Sequence, residues 1–316
     1  MEKQPGMVSF VGAGPGDPEL LTLKGKRLIE EAALLLYAGS MIPPALLDLA
    51  SPRASVIDAA PLDLEECHSL MLQFARAGQP VVHLHTGDPA VYSALREQLA
   101  LLDRDGIPWQ VVPGITAASA AAAAAGCSFT VPGATQSLIM TRMPGRTPMP
   151  AGEQAAAFAR TGATLAFFLS TGKVADLMAE LQDAGGLAPD TPAAAVYRAS
   201  WPDEQVVRGM VADLARKVEE AGFRRQSLIL VGRALAASTT VSRLYDGSFS
   251  HGYRNSLPDE AFHGTCALYA ASPAGLAQAR TLAAALTQGD APAPVIFAAC
   301  PADDQQPAPQ PVADMA

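Results

Sequence analysis

The chain has 316 residues, of which 49% are hydrophobic and 17% charged, which provides for a large core and argues against global disorder. The net charge of −9 and the pI near 5.0 argue against a nucleic-acid-binding protein, whose affinity rests on a basic surface. Four cysteines without a CxxC spacing argue against a disulfide scaffold or a metal site, and the absence of a signal-peptide or membrane-span pattern predicts a cytoplasmic protein without membrane contact.

The first third of the chain alternates short apolar runs with segments of helical spacing. This pattern predicts an α/β fold, with a mainly parallel sheet and helices on both faces. The predicted strands are Met7 to Val11, Ala33 to Tyr37, Ser55 to Ile57, Pro80 to Leu84 and Trp109 to Val112. The predicted helices are Thr22 to Glu31, Pro43 to Ala50, Leu64 to Arg76 and Ala90 to Leu102. Pro113 and Gly114 interrupt the pattern, and we place the end of an N-terminal α/β domain, residues 7–113, at this point.

Residues 114–255 have the pattern of a second α/β domain. The predicted strands are Gln136 to Thr141, Thr164 to Leu169, Ala193 to Tyr197, Gln205 to Gly209 and Leu228 to Val231. The predicted helices are Ala117 to Ala125, Ala151 to Arg160, Val174 to Ala184 and Met210 to Glu220. The short connection from Arg198 to Glu204 indicates a hairpin, so the sheet is predicted to be mixed.

The composition changes again in residues 256–316, which we interpret as an appendage with a tail. Strands are predicted at Cys266 to Ala270 and Val295 to Ala298, with a helix from Pro273 to Leu286 between them. From Asp303 onward the sequence is rich in Pro, Gln and Asp, which predicts disorder.

The segment from Gly12 to Asp17 (GAGPGD) is a glycine loop directly after a predicted strand. Its third glycine is displaced by one position from the dinucleotide fingerprint, and Pro15 lacks a backbone N–H that a phosphate would need. Asp17 adds a negative charge. The loop is therefore interpreted either as a structural turn or as the border of a binding site for a ligand other than phosphate.

Two further strand ends carry candidate site residues. His83 and His85 lie on one face of a strand, a spacing that could bind a metal but, without a third ligand, favours a structural role. Asp88 follows that strand and could either cap the next helix or accept from a ligand. Thr116 and Ala117 begin a helix of small side chains, which permits either close helix packing or close approach of a ligand.

Taken together, these motifs resemble the tetrapyrrole methyltransferase superfamily. The matching runs are Val11 to Lys24 (VGAGPGDPELLTLK), Thr86 to Tyr92 (TGDPAVY), Val112 to Ala117 (VPGITA) and Ala195 to Pro202 (AVYRASWP). Within the superfamily, the precorrin-4 C11-methyltransferases are most similar in Leu36 to Ser40 (LYAGS), Thr86 to Gln98, Thr141 to Pro150 (TRMPGRTPMP) and Leu244 to Arg254.

The resemblance implies the tetrapyrrole methylase fold, with S-adenosyl-L-methionine in a cleft between two α/β domains, and a homodimer. It implies methylation of C11 of an anionic tetrapyrrole, precorrin-4 or cobalt-precorrin-4, in cobalamin biosynthesis. The positions that match the superfamily's cofactor contacts are Pro15, Thr86, Gly87, Asp88, Val91, Thr116, Ala117, Leu169 and Ala199. Leu169 stands where relatives often have Met, so its contact is expected to be apolar or through its backbone.

The resemblance leaves the catalytic residues unknown. The uroporphyrinogen enzymes have an Asp, proposed as a proton acceptor, where this chain has Ala38. For the carboxylates of the substrate, the expected partners are Arg142 and Arg146, because a protein of charge −9 needs a local cationic cluster to bind an anion. The alternative is that these arginines belong to a solvated surface loop.

Three other functions stay open from the sequence. One is methylation of a different ring carbon in the same pathway. The second is a nicotinamide-dependent oxidoreductase that uses the loop at Gly12, and the third is a tetrapyrrole carrier without catalysis. Whether the substrate contains cobalt is also left open.

Overall fold

The computed structural model describes residues 4–236 and the two strands Cys266–Ala270 and Val295–Ala299. The chain divides into two compact units, Met1–Thr239 and Thr240–Ala316. The finer division at residue 113 stays a prediction, as do the homodimer and the cytoplasmic location. No helix in the described residues is both long and apolar enough to cross a membrane.

The first sheet has five strands in the order β3-β2-β4-β1-β5. Its strands are β1 Val8–Gly12, β2 Leu34–Tyr37, β3 Ser55–Asp58, β4 Val81–His85 and β5 Trp109–Val112. The helices that accompany it are α1 Leu23–Glu31, α2 Pro44–Leu47, α3 Leu64–Arg76 and α4 Leu95–Arg104. Every neighbouring pair is parallel, as the alternation of strands and helices predicts.

The central strands β1 and β4 are buried along their whole length. Successive residues of β1 point to opposite faces of the sheet, so Val11 packs with Ile29 and Leu35 in one apolar cluster, whereas Phe10 packs with Met71 in another. Strands that are covered on both faces need continuous apolar runs rather than alternation, which is the pattern these strands have in the sequence.

The starts of two helices follow from local capping. Asp63 accepts from the backbone N–H of Glu66 at 2.8 Å, and the Glu66 side chain accepts from the backbone N–H of Asp63 at 2.9 Å. This reciprocal capping box starts α3. Thr22 caps α1 by accepting from the backbone N–H of Gly25 at 3.0 Å. Both helices therefore begin where the sequence predicts, to within one residue.

The second sheet is mixed, as predicted, and follows the order β6-β7-β10-β8-β9. Its strands are β6 Leu138–Arg142, β7 Thr164–Phe168, β8 Pro192–Tyr197, β9 Gln205–Met210 and β10 Ser227–Val231. The helices of this part are α5 Ala117–Ala124, α6 Ala155–Ala159, α7 Val174–Asp183 and α8 Leu214–Glu220. β6 and β7 are parallel, β8 and β9 form the predicted antiparallel hairpin, and β10 is antiparallel to both of its neighbours.

The structure corrects the predicted starts of two helices. α4 begins at Leu95 and not at Ala90, because Tyr92 has a left-handed backbone (φ 54°) that an α-helix cannot accommodate. α8 begins at Leu214 because β9 continues through Met210. The predicted bounds of α2 and α6 were also too wide.

In the second unit the structure describes two strands, β11 Cys266–Ala270 and β12 Val295–Ala299, which form a parallel pair. Both strands were predicted, to within one residue. The predicted helix from Pro273 to Leu286 and the predicted disorder from Asp303 lie outside the described residues.

Three loops meet at the carboxyl edge of the first sheet, each with a glycine at the contact. A Cβ atom on Gly12 would lie 2.5 Å from the backbone nitrogen of Gly114, and one on Gly114 would collide with the carbonyl oxygen of Gly87. The Gly87 N–H donates to the carbonyl of Gly14 at 2.9 Å, and the Gly14 N–H donates back to the carbonyl of Gly87 at 3.2 Å. Only glycine permits backbones to approach this closely, so these residues determine the shape of that edge.

We expect Gly114→Ala to lower the free energy of unfolding by about 1–3 kcal/mol, because the added methyl group must displace backbone atoms rather than a flexible side chain. Gly172→Ala is the control, since a Cβ atom there meets nothing within 4 Å, and its effect should stay within about 0.5 kcal/mol. Urea denaturation followed by circular dichroism measures both. Equal stability of the two variants would contradict the close packing.

Candidate active-site cleft

A cleft of about 750 Å³ lies in the first compact unit, at the carboxyl edge of the first sheet. The loops after β4 and β5 form one wall, and the ends of β7 and β8 form the other. The start of β10 joins this second wall because β10 runs antiparallel to both β7 and β8. The carboxyl edge of a parallel sheet is where open α/β folds bind ligands, so this cleft is the candidate active site.

The structure places all nine residues that were expected to contact the cofactor in the lining of this cleft. They are Pro15, Thr86, Gly87, Asp88, Val91, Thr116, Ala117, Leu169 and Ala199. They come from five separate segments of the chain, which the two sheets bring together. Their contact with a cofactor stays a prediction.

Arg142 and Arg146, the residues expected to bind the substrate, are not in the cleft lining. Arg142 donates to three carbonyls of its own loop, at distances of 3.1 to 3.2 Å. It nevertheless lies near Tyr92, which does line the cleft: burial raises the pKa of Tyr92, and the charge of Arg142 opposes that rise. Arg146 is exposed.

Three arginines that the sequence did not single out do line the cleft, Arg198, Arg224 and Arg225. Arg198 forms a 2.6 Å ion pair with Asp203. Arg224 and Arg225 are exposed, and neither forms an ion pair with any residue that the structure describes. Adjacent arginines before a strand were the only available signal. The residues before β10 reach the cleft because β10 runs antiparallel to β7 and β8, and the sequence does not show this direction.

Asp88 joins two of the loops that form the cleft wall. One carboxylate oxygen accepts from the backbone N–H of Gly114 at 2.9 Å, and the other accepts from the backbone N–H of Ala90 at 2.7 Å. The helix-cap interpretation of Asp88 is wrong, since α4 begins at Leu95 and its N-cap is Ala94. Asp88 therefore holds the loop after β4 against the loop after β5.

Two buried histidines line the cleft at the end of β4. His83 pairs through Nδ1 with the Gln98 side-chain oxygen at 2.7 Å, and the amide nitrogen of Gln98 donates to a backbone carbonyl. Burial lowers the pKa of His83 to about 4, and burial together with the neighbouring His83 lowers the pKa of His85 to about 3. Both imidazoles are neutral at physiological pH, and no metal-binding cluster is found around them in the described residues.

Among the residues that the structure describes, five non-glycine residues have a left-handed backbone, and all five lie at the cleft or directly beside it. Tyr92, Leu169, Arg198 and Gln226 line it, and Ser200 adjoins the lining residues Ala199 and Trp201. Such conformations cost of order 1–3 kcal/mol each and persist where the surrounding structure enforces them, which is typical of functional sites. Leu169 is 72% exposed as a residue, so the cleft presents an apolar residue to solvent at this position.

Comparison with known proteins identifies a family and several close relatives. The family model described as tetrapyrrole (corrin/porphyrin) methylases matches residues 7–215. A protein of Pseudomonas aeruginosa named precorrin-4 C(11)-methyltransferase is 46% identical over 248 residues, which covers 78% of this chain and 98% of the relative. A protein of Methanocaldococcus jannaschii named cobalt-precorrin-4 C(11)-methyltransferase is 42% identical over 250 residues, which covers 79% of this chain and 96% of the relative.

Solved structures give the same result. A cobalt precorrin-4 methyltransferase superposes with a TM-score of 0.72 at 43% sequence identity, over 73% of this chain and 96% of that protein. A uroporphyrin-III C-methyltransferase of Thermus thermophilus, solved in complex with S-adenosylhomocysteine, superposes with a TM-score of 0.60 at 33% identity, over 73% and 93% of the two chains.

We expect Asp88→Ala to weaken the binding of S-adenosylhomocysteine by roughly 1.5–3 kcal/mol, because two backbone N–H groups lose a charged acceptor and the wall of the cleft loosens. Isothermal titration calorimetry measures the effect. Asp103→Ala is the control, since this exposed carboxylate accepts from Trp109 on the outer strand β5. If Asp88→Ala binds the ligand as well as the unaltered protein, Asp88 does not organise the site.

Proposed function

The chain belongs to the tetrapyrrole (corrin/porphyrin) methylase family, and from that premise we propose that it transfers the methyl group of S-adenosylmethionine to carbon 11 of precorrin-4 or cobalt-precorrin-4 in cobalamin biosynthesis. The observation that carries the proposal is the meeting of nine motif positions in a single cleft at the carboxyl edge of the first sheet. The proteins named for this activity match over nearly their whole length, which further supports it.

The wall of the cleft that is formed by the first sheet and its loops fits a sulfonium cofactor. A sulfonium is a cation, so a neighbouring uncompensated cation would repel it. His83 and His85, at the end of β4, are neutral, and the charge of Arg198 is balanced by Asp203. The lining arginines without an ion pair in the described residues, Arg224 and Arg225, lie in the other wall, just before β10. Apolar side chains such as Leu169 can cover the methylene groups of the cofactor without adding charge.

When bound, S-adenosylmethionine supplies a methyl group on sulfur that is already activated for displacement. The protein therefore needs no nucleophile, and its residues act by orienting the two reactants in line. Effective molarities of ~10⁵ M or more are possible when reacting atoms are held in this way. Asp88 and the glycines at 12, 87 and 114 hold the loops that would do the orienting.

No residue is assigned as a base in this mechanism. Ala38 lines the cleft at the position where the uroporphyrinogen enzymes have an Asp, and its methyl group cannot take a proton. His83 and His85, with pKa values of about 4 and about 3, are far less basic than a general base that works near neutral pH. Transfer of the methyl group to an electron-rich pyrrole carbon is thus attributed to positioning.

A nicotinamide-dependent oxidoreductase is less well supported because the glycine loop has few free N–H groups for a pyrophosphate. The N–H of Gly14 donates to Gly87, the N–H of Asp17 donates to Ser200, and Pro15 has none. A tetrapyrrole carrier would not need the cofactor positions. Methylation at a different ring carbon remains the alternative that the product assay must exclude.

The proposed function predicts micromolar binding of S-adenosylhomocysteine and no binding of NADH in calorimetric titration. With methyl-labelled cofactor and purified precorrin-4, or its cobalt form, NMR of the product should locate the label at C11. A label at another ring carbon would reassign the reaction. Binding of NADH alone would contradict the proposal.

For the substrate carboxylates, we propose Arg142 and Arg146 as partners, as expected from the sequence. Support comes from the position of Arg142 near Tyr92, whose ring lies 5.3 Å from that of Phe168 in the cleft wall. Binding would require Arg142 to exchange some of its hydrogen bonds to backbone carbonyls for carboxylate oxygens. A carboxylate carries a full negative charge and can accept two parallel N–H bonds from a guanidinium, which a neutral carbonyl cannot, and this favours the exchange.

We expect Arg142→Ala and Arg146→Ala each to raise the KM for the tetrapyrrole without changing the affinity for S-adenosylhomocysteine. Steady-state kinetics at two salt concentrations measures this effect. Added salt should raise the KM for the tetrapyrrole more in the unaltered enzyme than in the variants. Arg224→Ala and Arg225→Ala form the comparison, because those arginines line the cleft and have no ion pair in the described residues. If only the second pair raises KM, the carboxylates bind there instead.

A further inference from the structure

Trp201, in the turn of the β8–β9 hairpin, connects the second sheet to the glycine loop of the first. Its indole N–H donates to the carbonyl of Pro15 at 2.9 Å, and a Cβ atom on Gly16 would collide with the indole ring. Next to it, Ser200 accepts from the backbone N–H of Asp17 at 3.0 Å. Two neighbouring residues of the hairpin turn therefore hold three consecutive residues of the loop.

The hairpin turn is itself firmly held. The guanidinium of Arg198 lies 3.9 Å from the centroid of the Trp201 ring, and its charge is paired with Asp203 at 2.6 Å. The backbone N–H of Ser200 donates to the Glu204 side chain at 2.6 Å. These contacts keep Arg198 and Ser200 in their left-handed conformations, with φ of 44° and 68°.

We propose that Trp201 is a positioning residue for the cofactor, because it holds the loop at Pro15 in the shape that lines the cleft. This proposal rests on the proposed function. Arg198 covers one face of the indole, so a ligand can stack on the other face only. Gly16 and Pro15 contact the pyrrole edge of the ring. Its effect on binding therefore passes through the loop and not through a direct contact alone.

The chain offers a matched control, since it contains two tryptophans and both donate through the indole N–H. Trp109 lies on the edge strand β5 and donates to the exposed side chain of Asp103 at 2.7 Å. It does not line the cleft. The same substitution at the two positions therefore removes the same kind of hydrogen bond, inside and outside the proposed site.

Trp201→Phe keeps an aromatic ring but removes the N–H donor, which leaves the carbonyl of Pro15 without its partner. We expect the dissociation constant for S-adenosylhomocysteine to rise on the order of ten-fold, with KM for the cofactor rising in parallel and kcat staying within about two-fold. Trp201→Ala should weaken binding further, because the ring that fills the space beside Gly16 is also lost. Trp109→Phe should leave all three quantities unchanged.

Hydrogen exchange tests the positioning role without relying on activity. The amides of Gly14 and Asp17 are hydrogen-bonded, so they should exchange faster in Trp201→Phe and at the original rate in Trp109→Phe. Unchanged exchange in Trp201→Phe overturns the proposal, as does faster exchange with unaltered cofactor affinity. If the unaltered protein binds no S-adenosylhomocysteine but the exchange still accelerates, the proposed function fails while the loop contact stands.

Discussion

The close contact of three backbones at Gly12, Gly87 and Gly114 is the constraint on which the cleft depends. Gly12 is the last residue of β1, and Gly87 and Gly114 follow β4 and β5. These three strands are neighbours in the first sheet, in the order β4-β1-β5. Their mutual approach leaves no room for a Cβ atom, and Asp88 ties the last of the three loops to the second. Because the backbone atoms support each other, the loops can present Thr86, Thr116 and Ala117 in fixed positions without help from large side chains.

A second constraint is electrostatic. Under the proposed function, one cleft must accept a cationic cofactor and an anionic tetrapyrrole, in a protein whose net charge is −9. A cationic cofactor requires a wall without positive charge, and β4 of the first sheet provides it because burial keeps His83 and His85 uncharged. An anionic tetrapyrrole requires cations, and the lining arginines without an ion pair in the described residues, Arg224 and Arg225, lie just before β10 of the second sheet. Arg142, which we propose as a further partner, ends β6 of the same sheet. Neutral and cationic walls are thus contributed by different sheets.

Much of the fold could be predicted because it rests on local patterns. The apolar runs of β1 and β4 and the capping box at Asp63 each determine their element from a few neighbouring residues. The start of α4 could not be found in this way, because Tyr92 has a left-handed backbone and packs against Phe168 of the other sheet, a contact between residues far apart in the sequence. The residues carried over by resemblance do meet in one cleft. No local pattern indicates that carbonyls of its own loop bind Arg142, or that Arg224 lines the cleft, because both depend on how the chain folds back on itself.

Backbone strain in the described residues is concentrated around the proposed active-site cleft. The five left-handed non-glycine residues of the described chain are contributed by the loops after β4, β7 and β8 and the loop before β10, and all of them face or adjoin the cleft. Each such conformation must be stabilised by its surroundings, as the contacts of Trp201 and Glu204 do for the hairpin turn. A reaction whose electrophile is already activated gains most from a site that is rigid before the reactants enter, since little else lowers its barrier. The strain at the cleft is therefore best understood as the cost of holding several loops in one fixed arrangement.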